Sequence, residues 1–426
     1  MSATALRKDS ARSWVIIVFV GLALTIAQVD RTLLAIASPT LIEHLHLSGT
    51  EIGILLSSFA WTFTALQLPA GSLVDRFGPR KILAIAFVLW SVACSLTGFA
   101  SAFGTLLACR LALGIAESPL YGVAHSTMAG AFTERRRGLA TAIYTKSSSL
   151  GPALGAAIGS WLLLTAGWRV MFLFVGATSL VFLVPWLIVV PRNFEQAAFQ
   201  RTRARWSDIR HLLRSRSLWG IALGYFGFLY IYFISITWLP VYLAKERGMS
   251  TMGIAWMASV PFLVSLITGP AAGFVADLLI DRGHSVTVVR KASIAFGLLL
   301  CAAVIPAVFA TEAETAAILF VVYLAGQAIA ATNMLALPST IAPEGRAGFV
   351  GTFQQMFGSL GGVVSPILTG VLYDRTHSFE LAIAVAGTML LLSAICFIIV
   401  VPRIEQLTLP EAEAEESATP GRIRHA

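Results

Sequence analysis

Residues 14–37 read WVIIVFVGLALTIAQVDRTLLAIA, an apolar stretch whose strongly polar members are Gln28, Asp30 and Arg31. A helix that crosses a bilayer needs about 20 mostly apolar residues, and this stretch is long enough. A charged pair inside it is untypical of a cleaved signal peptide. We therefore expect an uncleaved first transmembrane helix that carries an acid and a base at membrane depth.

The composition of the whole chain agrees with a membrane protein. Charged residues make up 12% of the 426 residues, and the mean hydropathy is +0.80. Soluble domains carry about 25% charged residues, so a soluble enzyme, a disordered chain and a secreted disulfide scaffold are excluded as classes. The four cysteines lie singly within apolar stretches and predict neither a disulfide framework nor a zinc site.

Twelve apolar stretches follow one another along the chain, and the alternating pattern of an outer-membrane barrel is absent. The predicted fold is an all-α membrane protein of twelve transmembrane helices in two six-helix bundles. The predicted spans are 14–37, 51–74, 81–99, 104–128, 138–164, 168–190, 218–243, 252–276, 291–310, 314–341, 347–372 and 378–401.

The longest polar interruption, residues 191–217, divides these spans into two sets of six. The predicted organisation is a cytoplasmic arm at 1–13, an N-terminal bundle at 14–190, a cytoplasmic linker at 191–217, a C-terminal bundle at 218–402 and a disordered cytoplasmic tail at 403–426. Most lysines and arginines then fall in cytoplasmic loops, as the positive-inside rule requires. The net charge of +8 thus reflects membrane topology and indicates no nucleic-acid partner.

Residues 71–81, GSLVDRFGPRK, end the second span in a predicted cytoplasmic turn. Gly71 permits close helix contact, and Asp75 can accept hydrogen bonds from a facing helix N-terminus. The basic side chains keep the turn in the cytoplasm. The candidate gating-loop residues are Gly71, Asp75, Arg76, Gly78 and Arg80; the alternative is that they only anchor the topology. A weak echo, GFVAD at 273–277, ends the eighth span and indicates an internal repeat.

The turn fits the signature G-x-x-x-D-R-x-G-x-R-K of the major facilitator superfamily, which this chain resembles. Within that superfamily it resembles the anion:cation symporter group, which includes transporters of sugar acids and other organic anions. The resemblance implies two bundles that rock around a central site, and a cytoplasmic loop that latches them together. It rests on several stretches: Val29–Arg31, Arg110, Glu117–Pro119, 238–243, 246–249, 257–262 and 360–362.

Five ionisable residues fall inside predicted spans: Asp30, Arg31, Arg110, Glu117 and Lys146. A charge at bilayer depth costs about 2.5–3.5 kcal/mol on insertion scales, so such residues are functional candidates. All five lie in the first bundle. We expect the first bundle to handle charge and coupling, and the second bundle to shape the pocket with hydroxyls, amides and rings.

Each charge has a predicted role. Arg31 would bind the substrate carboxylate, because a guanidinium offers a fixed two-pronged donor. Glu117 would be the main proton carrier and Asp30 a second one, while Arg110 would pair with whichever of these acids is ionised. The resemblance implies the same roles at the matching positions. The alternative is that the charges form fixed ion pairs, with Asp30 only orienting Arg31.

The remaining candidates are less specific. Lys146 would add positive charge to the cavity, or would reach the cytoplasmic surface instead. Pro119 is expected to bend the fourth span. The glycines at 151, 155 and 159 are expected to pack helices closely. Further candidate substrate-binding residues are Tyr121, Tyr232, Asn333, Gln355 and Ser359, for which helix packing is the alternative.

The sequence therefore predicts a transporter, not an enzyme, that imports a small organic anion with protons. The anion would be a carboxylate such as a sugar acid or an aromatic acid. We expect a monomer in a bacterial inner membrane with no cofactor and no metal. A drug:proton antiporter and a non-transporting membrane sensor are the alternatives. The anion carried, proton or sodium coupling, and the stoichiometry are left open by the sequence.

Overall fold

The computed structural model describes residues 9–132, 134–190, 210–310, 312–343 and 347–407. These residues form helices and connecting turns, with no strand among them. Most of the predicted linker and tail, and most of the N-terminal arm, lie outside this range. The helices are α1 Ala11–Leu45, α2 Gly49–Phe77, α3 Pro79–Thr97, α4 Phe103–Glu117, α5 Leu120–Ala131, α6 Glu134–Ser179, α7 Leu183–Val189, α8 Arg216–Lys245, α9 Thr251–Asp281, α10 Val286–Cys301, α11 Val304–Phe309, α12 Ala313–Ile341, α13 Ala347–Thr376 and α14 Glu380–Ile395.

Ten helical stretches among the described residues are long and apolar enough to cross a membrane. The stretch Leu150–Val189 covers two predicted spans, because the backbone leaves the helical conformation at Gly167, where φ is 79°. This positive φ favours glycine, which has no Cβ. The helix α2 matches the predicted second span. The twelve-helix fold is thus confirmed.

The fourth span is interrupted where the sequence predicts a bend. The helix α4 ends at Glu117, Ser118 and Pro119 follow, and α5 begins at Leu120. Proline lacks a backbone N–H, so it cannot donate the i→i−4 hydrogen bond of a continuous helix, although Ser118 and Pro119 keep right-handed helical φ and ψ angles. The break leaves Glu117 as the last residue of α4, buried in the interior of the first bundle.

The two bundles use glycine in the same way. A Cβ added at Gly155 of α6 would lie 3.1 Å from the Cα of Val29 in α1. A Cβ added at Gly361 of α13 would lie 2.8 Å from the backbone nitrogen of Tyr230 in α8. Small residues allow such close approach of helices. The weak sequence repeat therefore corresponds to a repeated packing of the fifth span on the first and of the eleventh on the seventh.

Several contacts join the bundles at the end that is predicted to face outside. Asp374, near the end of α13, accepts hydrogen bonds from the backbone nitrogens of Gly49 and Thr50 in α2, both at 2.7 Å. The Lys245 ammonium lies 2.7 Å from the Glu43 carboxylate. Nearer the middle, the Ser259 hydroxyl donates to the carbonyl of Ala153 at 3.1 Å. The bundles are therefore in contact at this end.

The predicted gating loop has a different set of contacts. The Arg80 guanidinium donates to the carbonyls of Val190 and Leu187, at 2.7 and 2.9 Å, and so fastens the turn to the end of α7 within its own bundle. Gly78 has a φ of 86°, which favours glycine. On the other side, α5 approaches α2 closely, because a Cβ at Gly122 would lie 3.1 Å from the Cα of Gly71.

Among the other loop residues, Arg76 has no described contact with the second bundle. The side chain of Arg76 is exposed and lies over the ring of Phe77, 5.1 Å from its centroid. The side chain of Asp75 lies outside the described set. The implied latch between the bundles stays a prediction.

Candidate functional site

The centre of the candidate site is an ion pair between α1 and the end of α4. The Nε and Nη2 atoms of Arg31 donate to one carboxylate oxygen of Glu117, at 2.9 and 2.7 Å. The third nitrogen, Nη1, donates to the Gln28 side-chain oxygen at 2.8 Å. Glu117 is fully buried, whereas 22% of the Arg31 side chain is exposed. The accessible partner of the pair is therefore the arginine.

Only one of the two carboxylate oxygens of Glu117 takes part in the ion pair. The other carboxylate oxygen of Glu117, Oε1, is buried and has no hydrogen-bond partner among the described residues. A buried carboxylate oxygen without a partner carries a desolvation cost. A proton on Glu117 would reduce this cost, because it neutralises the buried charge.

Two phenyl rings of α2 form a platform under the arginine. The Arg31 guanidinium carbon lies 4.4 Å from the ring centroid of Phe59 and 4.7 Å from that of Phe63. The two rings are 5.1 Å apart and nearly parallel. A cation over an aromatic face is attracted by the ring quadrupole, by about 2 kcal/mol or more when it is desolvated. Sequence reasoning missed both phenylalanines, because an apolar ring on an apolar span gives no signal.

Arg110 also lies near the ring of Phe59. Its guanidinium carbon is 5.5 Å from the ring centroid of Phe59, and its Nε atom is buried without a hydrogen-bond partner among the described residues. It is close enough to interact electrostatically with Glu117 and Asp30. The sequence predicts that Arg110 pairs with one of these acids. The structure instead pairs Glu117 with Arg31, because α1 brings Arg31 to the end of α4 while Arg110 lies two turns earlier.

Asp30 faces away from its neighbour Arg31. Its carboxylate accepts a hydrogen bond from the indole Nε1 of Trp90, and the thiol of Cys94 approaches it at 3.7 Å. Consecutive helical residues point about 100° apart, so Asp30 turns toward α3 while Arg31 turns toward α4. The sequence signal for this partner was weak: a tryptophan and a cysteine one turn apart on the third span, which packing also explains.

Two tyrosines, one from each bundle, lie near the site. Tyr121 follows the break in the fourth span, and the ring of Phe63 lies 6.1 Å from its ring, edge to face. Tyr232 of α8 is close enough to interact electrostatically with both Tyr121 and Arg31. Both side chains are half-buried. The structure therefore brings together Arg31, Glu117, Tyr121 and Tyr232, which the sequence singles out separately.

Other predicted residues lie elsewhere. Asn333 of α12 is fully buried and accepts a hydrogen bond from Arg290 at 3.0 Å, while Arg290 also binds Asp277 at 2.7 Å. The structure thus places Asn333 in a cluster inside the second bundle, away from Arg31. Arg290 falls just before the predicted ninth span, so it is not among the buried charges predicted from the sequence.

The last three candidates have no described partner at the site. Gln355 is half-buried and Ser359 is buried on α13, and neither side chain hydrogen-bonds to a described residue. The side chain of Lys146 lies outside the described set. No group of three or more metal-ligating side chains occurs among the described residues.

A small, mainly apolar cavity lies between the bundles, one residue along α1 from Arg31. Its lining comes from α1, α6, α8 and α9. It includes Thr32, Pro152, Ser235, Leu239 and Phe262. Arg31 itself does not line this cavity.

The chain matches the family described as Major Facilitator Superfamily over residues 20–289 and 254–425. It is similar to the "Probable galactarate/D-glucarate transporter GarP" of Escherichia coli (strain K12), with 27% identity over 95% of this chain and 98% of that protein. It is also similar to the "Probable L-galactonate transporter" of the same organism, with 30% identity over 89% of this chain and 87% of that protein.

Among solved structures, the fold is similar to a bacterial homologue of the human lysosomal transporter Spinster in an inward-facing and unoccupied conformation. The TM-score is 0.74 with 17% identity, and the match covers 92% of this chain and 93% of that one. At this identity the likeness concerns the fold alone. The family match along the chain, the twelve helices and the buried charges of the first bundle agree with one another, and the chain belongs to the major facilitator superfamily.

Proposed function

We propose that this protein imports a small organic carboxylate together with protons. The observation that carries the proposal is the buried Arg31–Glu117 ion pair, whose arginine is partly accessible and whose acid is not. The names of the relatives, which refer to sugar-acid transporters, support a carboxylate as the cargo. An arginine that is held by an internal acid binds an external anion only when that acid gives up its charge.

The coupling follows from this competition. A proton on Glu117 removes the negative partner of Arg31, and the guanidinium is then free to bind a carboxylate with two parallel hydrogen bonds. Without the substrate, a protonated Glu117 would leave Arg31 uncompensated; without the proton, the substrate would have to displace a buried carboxylate. Both half-loaded states keep an unpaired charge in a low-dielectric interior, which is costly.

The other site residues have supporting roles in this proposal. Asp30 is the second proton site, held by α3. Arg110 keeps positive charge beside Phe59 when Glu117 is neutral, which favours an anion in the cavity. Tyr121 and Tyr232 contact the substrate from opposite bundles, Gln355 and Ser359 bind it from α13, and Lys146 adds a further cation. Asn333 acts on the second bundle through Arg290.

The proposal also includes the orientation of the protein in the membrane and the movement of the two bundles. Both termini are cytoplasmic, and the linker at 191–217 connects bundles 14–190 and 218–402 on that side, with the arm at 1–13 and the tail at 403–426. In this proposal the contacts of Asp374 with α2 close the outer end, and they break when the protein opens to the outside in an alternating-access cycle. The protein acts as a monomer in a bacterial inner membrane.

The deciding experiment replaces the proposed proton carrier. In proteoliposomes, Glu117→Gln is expected to abolish accumulation of substrate driven by a pH gradient, because the neutral amide can neither bind nor release a proton. Exchange of labelled for unlabelled substrate across the same membrane is expected to continue, because Arg31 stays free. Glu380→Gln, at an exposed helix start, is the matched control and should behave like the wild type.

Two outcomes would contradict the proposal. Gradient-driven accumulation that survives in Glu117→Gln would remove the proton role from this residue. Competition by cationic drugs instead of carboxylates would favour the antiporter alternative.

A further inference from the structure

The surroundings of Arg31 consist mainly of aromatic rings. Phe59 and Phe63 lie under its guanidinium, Tyr121 meets the edge of Phe63, and Tyr232 closes the set from the second bundle. A ligand whose carboxylate lies on Arg31 therefore has rings next to the rest of its body. Such a surface stabilises an apolar, flat group by burial and by edge or offset stacking.

The hydroxyl groups of a sugar acid need a different surface. Each buried hydroxyl requires a directed hydrogen-bond partner, because an unpartnered one loses its bond to water. A sugar acid carries several of them, so a site for it needs several free amides, hydroxyls or charges that converge on the ligand.

The buried amides of the second bundle are largely committed to the protein itself. The Gln327 amide donates to the Tyr323 hydroxyl at 3.0 Å, and the Gln354 amide donates to the carbonyl of Met334 at 3.2 Å. Asn333 is bonded to Arg290 and to the carbonyl of Ile329. Gln327 and Gln354 are at most 4% exposed and their amide nitrogens are engaged, while the side-chain oxygen of each is buried without a hydrogen-bond partner among the described residues.

The small cavity between the bundles has the same character. Beyond Thr32 and Ser235, its lining is apolar and includes Ile36, Leu239 and Phe262. The hydroxyl of Thr32 donates to the carbonyl of Gln28, and that of Ser235 donates to the carbonyl of Ile231. The polar atoms at this cavity are thus also bonded to the backbone of their own helices.

We infer that the acid bound at this site is an aromatic carboxylate of the benzoate type, with its carboxylate on Arg31 and its ring against Phe63, Tyr121 and Tyr232. This inference rests on the proposed function and narrows its substrate class. The hydroxyls of Tyr121 and Tyr232 form no hydrogen bond with a described residue, so they can serve one polar substituent on the ring. The relatives named for sugar acids differ from this chain at most positions, which leaves room for a changed pocket.

The test compares three acids that share one carboxylate. Purified full-length protein is titrated at one pH with benzoate, cyclohexanecarboxylate and D-galactonate, and binding is followed by thermal shift, because a ligand that binds the native state raises its melting temperature. We expect benzoate to bind at least about tenfold more tightly than D-galactonate, the ratio that one favourable aromatic contact supplies. Cyclohexanecarboxylate, which has the size but not the π-face, is expected to lie between them.

A variant of Phe63 tests whether its ring is the cause of the preference for benzoate. Phe63→Leu keeps an apolar side chain but removes the aromatic face, so the preference for benzoate over cyclohexanecarboxylate should fall to about twofold or less. Phe353→Leu, in a separate aromatic cluster with Trp219 in the second bundle, is the matched control and should keep the wild-type ratio. The ratio is the informative quantity, because a general loss of folding or of Arg31 alignment affects both acids equally.

The outcomes separate this inference from the proposed function. D-galactonate binding more tightly than benzoate would overturn the aromatic preference and leave carboxylate transport standing. An unchanged ratio in Phe63→Leu would also overturn the assignment to this ring. If none of the three acids, nor galactarate, shifts the melting temperature, both the inference and the carboxylate function fail together.

Discussion

The two bundles share a fold but differ in the charge of the polar groups that they bury. The first bundle holds Asp30, Arg31, Arg110 and Glu117 within reach of one another, and two of their polar atoms have no partner among the described residues. The second bundle mainly buries amides and hydroxyls. Its ion pair between Arg290 and Asp277 opens to water, because 65% of the Asp277 side chain is exposed.

This difference indicates that a charged ligand would change the balance of buried charge in the first bundle. The four charges of the first bundle sum to zero when both acids are ionised, so an added anion needs a proton or a cation to keep the interior neutral. The buried polar groups of the second bundle are mainly uncharged amides and hydroxyls, some of them, such as the side-chain oxygens of Gln327 and Gln354, without a partner among the described residues. We expect the first bundle to carry coupling and the second to act as a wall and a gate.

The largest expected effect comes from Arg31. In Arg31→Ala, Glu117 loses its ion-pair partner, and removal of one member of a buried pair costs about 3–5 kcal/mol. Substrate affinity should fall by more than about 100-fold, which corresponds to about 2.7 kcal/mol of lost carboxylate binding. Arg31→Lys keeps the charge and tests geometry, because an ammonium cannot form two parallel bonds. Binding titrations on both purified variants measure this, and wild-type affinity in Arg31→Ala would remove the residue from the site.

The next effect concerns the partner of Asp30. Trp90→Phe removes the indole hydrogen bond to the Asp30 carboxylate and so disfavours its charged form. The proton then binds at higher pH, and the alkaline limb of the pH–transport profile should move upward by about 1–2 pH units. Trp186→Phe is the control, because the indole of Trp186 donates to the carbonyl of Arg80. Identical profiles for the Trp90→Phe variant and the wild type would leave Asp30 without a coupling role.

A smaller effect is expected at the outer gate, where the second bundle supplies the acid. Asp374→Asn leaves one acceptor oxygen for the donors of Gly49 and Thr50, so the closed outer end loses about one charge-assisted hydrogen bond. The population ratio of open to closed outer ends should rise by about tenfold. Spin labels at the exposed His46 and His377, in a cysteine-free background, report the distance across this end. An unchanged distance distribution would deny Asp374 a gating role.

The smallest effect on binding is expected at Asn333. Asn333→Ala removes the acceptor of Arg290, so the free energy of unfolding should fall by about 1–3 kcal/mol, while substrate affinity should stay within about threefold. Thermal unfolding and ligand titration on the same preparation measure both quantities. A tenfold loss of affinity with unchanged stability would return Asn333 to the substrate site and weaken the contrast between the bundles.

The membrane class, the twelve spans, the break at Pro119 and the charges in the first bundle could all be predicted from the sequence alone. These are local properties: the length of an apolar stretch, a proline, an ionisable residue within a span. The family signature at 71–81 followed from the sequence for the same reason.

The contacts between these side chains could be read only from the tertiary structure. In the structure Glu117 pairs with Arg31 and not with Arg110, and Asp30 accepts a hydrogen bond from Trp90. Phe59 and Phe63 lie against the guanidinium of Arg31, and Asn333 accepts a hydrogen bond from Arg290. These choices depend on how each helix is rotated about its axis and where it crosses its neighbours. That rotation is set by packing along the whole bundle, including close glycine contacts such as Gly155 on Val29, and no short stretch of sequence contains it.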